Sequence, residues 1–428
     1  MQKTRAEYGR RLITGKSLSR QEFLGKMALA GLGVAALGIG RERMATGHTG
    51  ALSHGGYQDA ITHCALDGLN SFIGWLGNER GYIGELGIPS NLGEKRQPFY
   101  PDQEQWKTLG EEYYSRCDSA GLWITAHETS EQYYDLKNGG YYASIYLASG
   151  DDTHKVINRA GFQSALIEAH GGTGRGVNFS GGQKFDEGRM SNANPGVYNT
   201  DYWYPTDGSN RIDPNTGLDS FGYLASRGVK LVRLGLRWER IQPKLEGPLS
   251  DAEIKRFRIA LIHAREAGVQ VIIDLHNYGG YCTDSGRKAL NSSALPISAM
   301  EDVWRKLSLN FEDHSEVVAY DLMNEPYNHG GVAAGTFASP TKAWEAATRR
   351  VVKAIRRRGD MKKIMVPTYA PVPKVSGKHA GPWISGGGDI MYTAHHYFDH
   401  YDPRTGGGGG DYPISYGDEN AYYASEGY

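Results

Sequence analysis

Eight short apolar segments recur along the chain, and a polar or amphipathic stretch separates each one from the next. Short runs rich in Val, Ile, Leu and aromatic residues are typical of buried strands, and the stretches between them predict helices. Eight alternating units are the number found in a (β/α)8 TIM barrel, an α/β fold of about 200 to more than 400 residues. The strands are predicted at 82–86, 122–126, 176–180, 229–236, 269–275, 317–323, 363–369 and 390–396.

A doubly wound open sheet is the alternative architecture for the same alternation. That fold binds nucleotides through a glycine-rich turn that follows a strand. The glycine-rich stretch Gly171–Gly176 precedes a strand instead, so we interpret it as a linker. A second one, Thr405–Pro413, is interpreted as a surface loop, and Asp251 as the cap of the helix that follows it.

Composition is that of a large globular domain with no strong charge. The chain has 428 residues, 39% of them hydrophobic, and a net charge of −1, so a nucleic-acid partner is not expected. The three cysteines, Cys64, Cys117 and Cys282, are too few for a disulfide framework and lack metal-site spacing. One bridge with one free thiol and three buried thiols both remain open.

The first 50 residues differ from the rest. Met27–Gly40 is an apolar run that follows a basic segment, too short to span a bilayer and typical of a signal-peptide core. Ser19–Lys26 resembles a twin-arginine signal in which Gln21 replaces the second arginine. We therefore expect a secreted or periplasmic protein, exported by a twin-arginine-like or Sec route, with residues 1–50 as export signal and linker. An amphipathic structural helix is the alternative.

Polar side chains stand at the carboxyl ends of several predicted strands, where such barrels carry their chemistry. Glu85 ends one strand, and Asn324 with Glu325 ends another. Two carboxylates on one rim suit glycoside hydrolysis, in which one acid protonates the leaving oxygen and one carboxylate attacks or activates water. Singly, a Glu after a strand is more often a solvated rim charge. Other strand ends supply Arg233, His276, Asn277, His395 and Tyr397.

Taken together, these motifs resemble glycoside hydrolase family 5, the cellulase family of clan A, from about Thr62 to His400. The stretch Phe72–Pro89 resembles the family's seventh helix-and-strand unit, which carries its nucleophile, and Gly121–Glu131 resembles the eighth strand. The segments that resemble the family's first, second, third, fourth and sixth strands are, in that order, Arg175–Pro205, Tyr223–Pro243, Gly268–Tyr281, Tyr320–Pro326 and Tyr392–Asp399.

The resemblance implies a retaining β-glycanase, most similar to an endo-β-1,4-glucanase, that binds a β-linked polysaccharide and needs no cofactor or metal. It implies Glu325 as acid/base, Glu85 as nucleophile and Asn324 as partner of the sugar 2-hydroxyl. The family's tryptophan platform at the end of strand eight is replaced here by Ala126 and His127. The supporting residues it implies are Arg233, His276, Asn277, His395 and Tyr397. Trp383 and Trp203, which lie in predicted loops, could stack on sugar faces or could equally be packing residues.

The order of the motifs differs from that of the family and predicts a circular permutation. Strands seven and eight would lie in 51–170, a linker in 171–174 and strands one to six in 175–428, all within one barrel that we expect to be monomeric. Barrel termini are often close enough to tolerate such a rearrangement.

Other functions remain open at this point. The substrate could be mannan, xyloglucan or mixed-linkage glucan, because loops determine the choice. A glycan-binding barrel without activity is a second class, if permutation displaced the carboxylates. A metal hydrolase is the third, and it would use His276, His395, His396 and His400.

Overall fold

The computed structural model describes most of the chain after residue 58. The predicted export signal, most of the 171–174 linker and His400 lie outside the described residues. Among the described helices, none combines the length and the apolar character that crossing a membrane requires. The described residues are 59–88, 103–129, 166, 174–179, 190–205, 218–327, 339–369, 379–398, 401–402, 407–408 and 416–425.

Eight parallel strands close into a barrel, in sequence order, with the first strand paired to the last. The prediction of a (β/α)8 barrel is thus confirmed, and the open sheet is wrong. Two antiparallel pairs lie outside the barrel, Gly280–Thr283 with Gly286–Ala289 and Tyr401–Asp402 with Gly407–Gly408. The strands are β1 (Arg80–Gly87), β2 (Trp123–Thr129), β3 (Arg175–Phe179), β4 (Leu231–Leu236), β5 (Gln270–Leu275), β6 (Gly280–Thr283), β7 (Gly286–Ala289), β8 (Val317–Asp321), β9 (Lys363–Pro367), β10 (Ile390–Tyr397), β11 (Tyr401–Asp402) and β12 (Gly407–Gly408).

Helices surround the barrel between its strands. Ser250, and not Asp251 as predicted, is the N-cap of α5, because its hydroxyl accepts a hydrogen bond from Glu253 N. The glycine-rich stretch predicted as a loop contributes the short strand β12. The described helices are α1 (Ala60–Leu76), α2 (Gln103–Ser119), α3 (Ser220–Ser226), α4 (Trp238–Ile241), α5 (Asp251–Glu266), α6 (Ile297–Phe311), α7 (Pro340–Arg356) and α8 (Tyr416–Ser425).

Two hydrophobic cores follow from the alternation of side chains along each strand. In β4, Val232 and Leu234 point outward and pack against the helices, whereas Leu231 points into the barrel. Strands covered on both faces become apolar almost throughout, as their sequences are. The inner core is formed by Tyr82, Trp123, Leu231, Ile272, Ala319, Met365 and Met391.

The three cysteines all carry free thiols.

The beginning of α1 is held by α8, close to the other end of the chain. Asn420 Oδ1 accepts hydrogen bonds from Ala60 N (2.6 Å) and Ile61 N (3.1 Å), two of the amides that a helix start leaves unpaired. Tyr416 donates a hydrogen bond from its hydroxyl to Asp59 Oδ2 over 2.7 Å. The two elements are therefore adjacent in space although about 350 residues separate them in sequence.

A buried histidine lies in the outer core between α1, α7 and β10. His379 Nε2 accepts a hydrogen bond from Tyr369 N (2.9 Å), and its Nδ1 lies 3.2 Å from Glu345 Oε1. Its ring stacks on Trp383 with centroids 4.1 Å apart. Burial lowers the pKa of His379, against an opposing effect of Glu345. The folded protein therefore favours the neutral imidazole.

The free energy of unfolding should consequently fall as pH drops below about 6.5, where His379 takes up a proton in the unfolded chain but not in the folded one. Each such proton contributes up to about 1.4 kcal/mol per pH unit. Urea denaturation of the variant His379→Gln between pH 7 and pH 5 should show a shallower slope. The exposed Met361→Gln, which changes no titrating group, serves as control and should keep the wild-type slope. Equal slopes for wild type and His379→Gln would contradict the prediction.

Candidate active site

Polar side chains fill the barrel interior between the inner core and the carboxyl ends of the strands. Because inward-facing residues alternate along a strand, Ile272 in the core is followed on the same face by Asp274 and then His276. The same step leads from Ala319 to Asp321 on β8. The interior therefore changes from apolar to polar toward the carboxyl ends of the strands.

Arg233 is the centre of this layer and is almost fully buried. Its guanidinium donates to Glu85 Oε1 over 3.1 Å and to Asp321 Oδ2 over 2.9 Å. A planar group with five donors can bind several acceptors at once, which fixes their relative positions. Its remaining acceptors are Asn178 Oδ1 (2.9 Å) and Asn324 Oδ1 (2.9 Å), and it forms an ion pair with Asp274 Oδ1 over 3.0 Å.

Glu85 is held at both carboxylate oxygens. Oε1 accepts from Arg233, and Oε2 accepts a short hydrogen bond from the hydroxyl of Tyr397. His127 Nδ1, at the end of the neighbouring strand β2, lies 3.7 Å from Oε2. A cation and a hydroxyl donor on a buried carboxylate favour its ionised form.

Glu325 is joined to Glu85 through a single imidazole. His395 Nδ1 lies 3.0 Å from Glu325 Oε1 and 3.4 Å from Glu85 Oε2. Gly84 permits this position, since a Cβ there would lie 2.8 Å from His395 Nε2. Glu325 has a φ of +40°, a strained backbone conformation for a residue with a side chain. Strain of this kind clusters at functional sites.

His276 belongs to a second chain of hydrogen bonds on the same layer. Its Nδ1 lies 2.6 Å from Asp274 Oδ2 and its Nε2 lies 3.0 Å from the hydroxyl of Tyr278. The ring of Tyr278 lies beside that of Tyr327, with centroids 5.6 Å apart. These contacts form a network that runs from Arg233, through Asp274 and His276, to the rings of Tyr278 and Tyr327 next to Glu325.

Asn277 acts on the backbone around the site. Its side-chain amide donates to both oxygens of Glu239 (2.9 and 2.8 Å), and its Oδ1 accepts from Trp238 N (2.8 Å). Glu239 in turn accepts from Cys282 N over 2.6 Å. These bonds connect the β4–α4 connection to the β6–β7 hairpin. Asn277 therefore supports the backbone around the site and not Glu85 or Glu325 directly.

Burial and charge act against each other in this layer. Burial raises the pKa of Asp274 and of Asp321, and Arg233 opposes both shifts. For Arg233, burial alone would lower the pKa, but Asp274 and Asp321 outweigh it and the net direction is upward. Burial lowers the pKa of His276 well below its usual value. A charged Arg233 beside a neutral His276 is therefore the stable arrangement.

Most predicted site residues converge, but Asn277, Trp383 and Trp203 do not. Trp383 packs in the outer core, where its Nε1 donates to Thr348 Oγ1 in α7 over 2.8 Å and its ring contacts Trp75 in α1. The prediction of a sugar-stacking role for Trp383 is therefore wrong, because helices cover its ring. Trp203 is also buried, and Trp123 belongs to the inner core. The residues that do converge are Glu85, Glu325, Asn324, Arg233, His276, His395 and Tyr397.

Several residues of the site were missed by sequence reasoning. Asp274 lies two residues before His276 and Asp321 three residues before Asn324, both on the inward face of their strands, so the two-residue period of the strand was the available signal. Asn178 had the same signal on β3. His127 was noted only as the place of an absent tryptophan. Tyr278 comes from a loop and had no such signal.

Glu85, Glu325 and His395 also have the residue types of a metal site. One ligand atom from each lies within 4.8 Å of the others. In the described residues, however, each of these three side chains already takes part in the hydrogen bonds or ion pairs given above. Of the histidines weighed for a metal hydrolase, His276 bonds Asp274 and His396 bonds Tyr113 in α2, so neither joins His395 in this group.

Sequence comparison places the chain among carbohydrate-active enzymes. The sequence profile of the family Cellulase (glycosyl hydrolase family 5) matches residues 192–415, more than half of the chain. The manganese dependent endoglucanase Eg5A of Phanerodontia chrysosporium is 25% identical over 49% of this chain and 53% of its own length. The "Probable glucan 1,3-beta-glucosidase A" of Aspergillus fumigatus is 28% identical over 43% of each chain.

A solved structure is also similar over part of the chain. The endo-beta-1,4-glucanase of Xanthomonas axonopodis pv. citri is 30% identical, with a TM-score of 0.42 over 52% of this chain and 64% of that one. The chain spans about half the length of the curated relatives it matches. From the profile match over 192–415, within the closed barrel, the chain belongs to glycoside hydrolase family 5.

Proposed function

We propose that the protein is an endo-β-1,4-glucanase that cleaves its substrate by double displacement with retention. The observation that carries this proposal is the separation of Glu85 and Glu325, each of which has an oxygen within 4.8 Å of the other. Retaining glycosidases place their carboxyl groups about 5–5.5 Å apart, whereas inverting enzymes leave about 6.5–9.5 Å for a water molecule. The close pair supports attack by a carboxylate.

Glu325 is proposed as the acid/base and Glu85 as the nucleophile. Arg233 and Tyr397 both donate to Glu85, which keeps it ionised and orients it toward the anomeric carbon. Glu325 protonates the leaving oxygen as Glu85 attacks and forms the glycosyl-enzyme. In the second half-reaction Glu325 removes a proton from the water that releases the sugar. Asn324, fixed by Arg233, is proposed to bind the 2-hydroxyl.

The substrate is proposed from family and relatives. The family is named for cellulase, and the Phanerodontia relative is an endoglucanase, which supports β-1,4-glucan. The Aspergillus relative is named a glucan 1,3-beta-glucosidase, so another β-glucan, or mannan, is the second candidate. The converged carboxylates disfavour a glycan-binding barrel without activity.

A screen of pure polysaccharides tests this proposal. Carboxymethylcellulose should lose viscosity faster than reducing ends accumulate, as endo cleavage requires, and early products should be β-anomers by NMR. Mannan as the best substrate would redirect the specificity, and an α-anomer would overturn the retaining mechanism. Binding of glucan without release of reducing ends would favour the non-catalytic alternative.

We also propose that the barrel is circularly permuted and that the protein is exported. The strand order cannot decide the first point, because every cyclic shift of such a barrel has the same order. The profile match begins at residue 192, although β1 and β2 complete the same barrel, and α8 holds the beginning of α1. Both observations support permutation.

N-terminal sequencing of protein recovered outside the cytoplasm tests export, with a mature end expected between Gly40 and Gly50.

A permuted barrel could exchange its first two strands with a second copy, but we expect a self-contained monomer. The short linker at 171–174 costs little loop entropy, so closure within one chain is favoured. Co-refolding the inactive variants Glu85→Ala and Glu325→Ala from denaturant checks this expectation. In a monomer every barrel keeps one lesion and the mixture stays inactive. Recovered activity would mean that mixed dimers rebuild an intact site.

A further inference from the structure

His127 lies at the mouth of the barrel, on the inward face of β2. Trp123 on the same face belongs to the inner core, and Thr125 is hydrogen bonded to Tyr82 inside the barrel. The next inward position is residue 127, because side chains alternate along a strand. The imidazole of His127 packs edge-on against the ring of Tyr397, with centroids 5.4 Å apart.

The position of His127 is more open than that of the carboxylates. Its side chain is 13% exposed, against 3% for Glu85. Its Nδ1 lies 3.7 Å from Glu85 Oε2, which is too long for a direct hydrogen bond. The Nδ1 atom itself is buried, so a group that enters from solvent meets the remaining, exposed part of the imidazole.

We propose that His127 binds the sugar unit that Glu85 attacks, through a hydrogen bond between an imidazole nitrogen and a ring hydroxyl. This inference rests on the proposed function. Attack requires the anomeric carbon about 3–3.5 Å from the carboxylate oxygen. The hydroxyls next to that carbon then come within reach of the imidazole. An imidazole can donate or accept at its ring nitrogens, so it recognises a hydroxyl, whereas a purely aromatic ring can only stack.

Binding to an inactive enzyme separates this role from an effect on the nucleophile. The variant Glu85→Gln does not cleave the bound oligosaccharide and lacks the carboxylate charge. A change in affinity on substituting His127 in this variant therefore reports contact with the sugar. Calorimetric titration uses cellotetraose, or the tetrasaccharide of whichever β-glycan the wild type cleaves. Adding His127→Phe should weaken binding about tenfold, the effect of one lost hydrogen bond. Adding His127→Gln should restore most of the affinity, because its amide can still donate and accept.

Two further variants complete the comparison. His127→Ala removes the ring and should also bind about tenfold more weakly, which keeps the test valid if the Phe variant does not fold. His63→Phe alters a histidine on α1 whose side chain is 42% exposed, and it should leave the affinity unchanged. Thermal unfolding of each variant confirms that the proteins compared are folded.

The outcomes distinguish the two proposals. Unchanged affinity in the Phe and Ala variants of an enzyme that cleaves β-glycan overturns the role of His127 and leaves the function standing. Full affinity with Phe but not with Gln overturns the hydrogen bond in favour of stacking. A wild type that neither cleaves nor binds any β-glycan overturns both.

Discussion

Replacing Glu85 with Ala is expected to lower the turnover of β-1,4-glucan by roughly 10⁴-fold or more, because no glycosyl-enzyme can form. External azide should partly restore turnover of an activated aryl β-cellobioside by attacking from the face that Glu85 occupies. The product would then be an α-glycosyl azide, which NMR identifies. Rescue by azide distinguishes a missing nucleophile from a collapsed site, where a small anion would not help.

The matched control for this variant is Glu111→Ala on α2, which removes a carboxylate that is 48% exposed and should leave activity unchanged. Labelling with a mechanism-based fluoro-sugar gives an independent check, since the label should be found on Glu85. A label on any other carboxylate would remove Glu85 from the nucleophile role, whatever the activity of the Ala variant.

The barrel could be predicted from the sequence because its signal is local. A strand covered on both faces is apolar along most of its length, and β4 is buried at all six positions while β5 is buried at every position after Gln270. The carboxylate pair could be predicted because strand ends of a barrel meet at one rim. Which residues contact each other at that rim is a different matter. The bond from Arg233 to Glu85 joins residues 148 apart, and only the closed barrel brings them together.

The wrong prediction for Trp383 and the omission of Asp274 both depend on which way a side chain faces in the fold. Trp383 comes from a connection between strands, where no periodicity tells whether an indole faces a substrate cleft or a helix. In the fold it fills the space between α1 and α7, against Trp75 and Thr348. Asp274 could have been found, because it is two residues before His276 on one strand. A site search that followed every inward position, and not only the strand ends, would have included it and Asp321.

Replacing Glu325 with Ala should affect substrates according to their leaving group. On β-1,4-glucan, whose leaving alkoxide needs a proton, turnover should fall about 10²- to 10⁴-fold. On a dinitrophenyl β-cellobioside the glycosylation step should be nearly unchanged, because an acidic phenol leaves without assistance. Stopped-flow measurement of phenolate release in the first turnover isolates that step from the slower hydrolysis of the glycosyl-enzyme.

Glu85→Ala provides the contrast, since it should lose glycosylation on both substrates. Glu325 is buried, its oxygen lies 3.0 Å from His395 Nδ1, and its backbone is strained, so a general loss of site geometry is the competing explanation for a weak variant. Such a loss would slow glycosylation by both leaving groups alike, because Glu85 would also be displaced through the shared imidazole. Selective loss on the poor leaving group therefore supports a missing proton donor, and equal loss on both would remove Glu325 from the acid role.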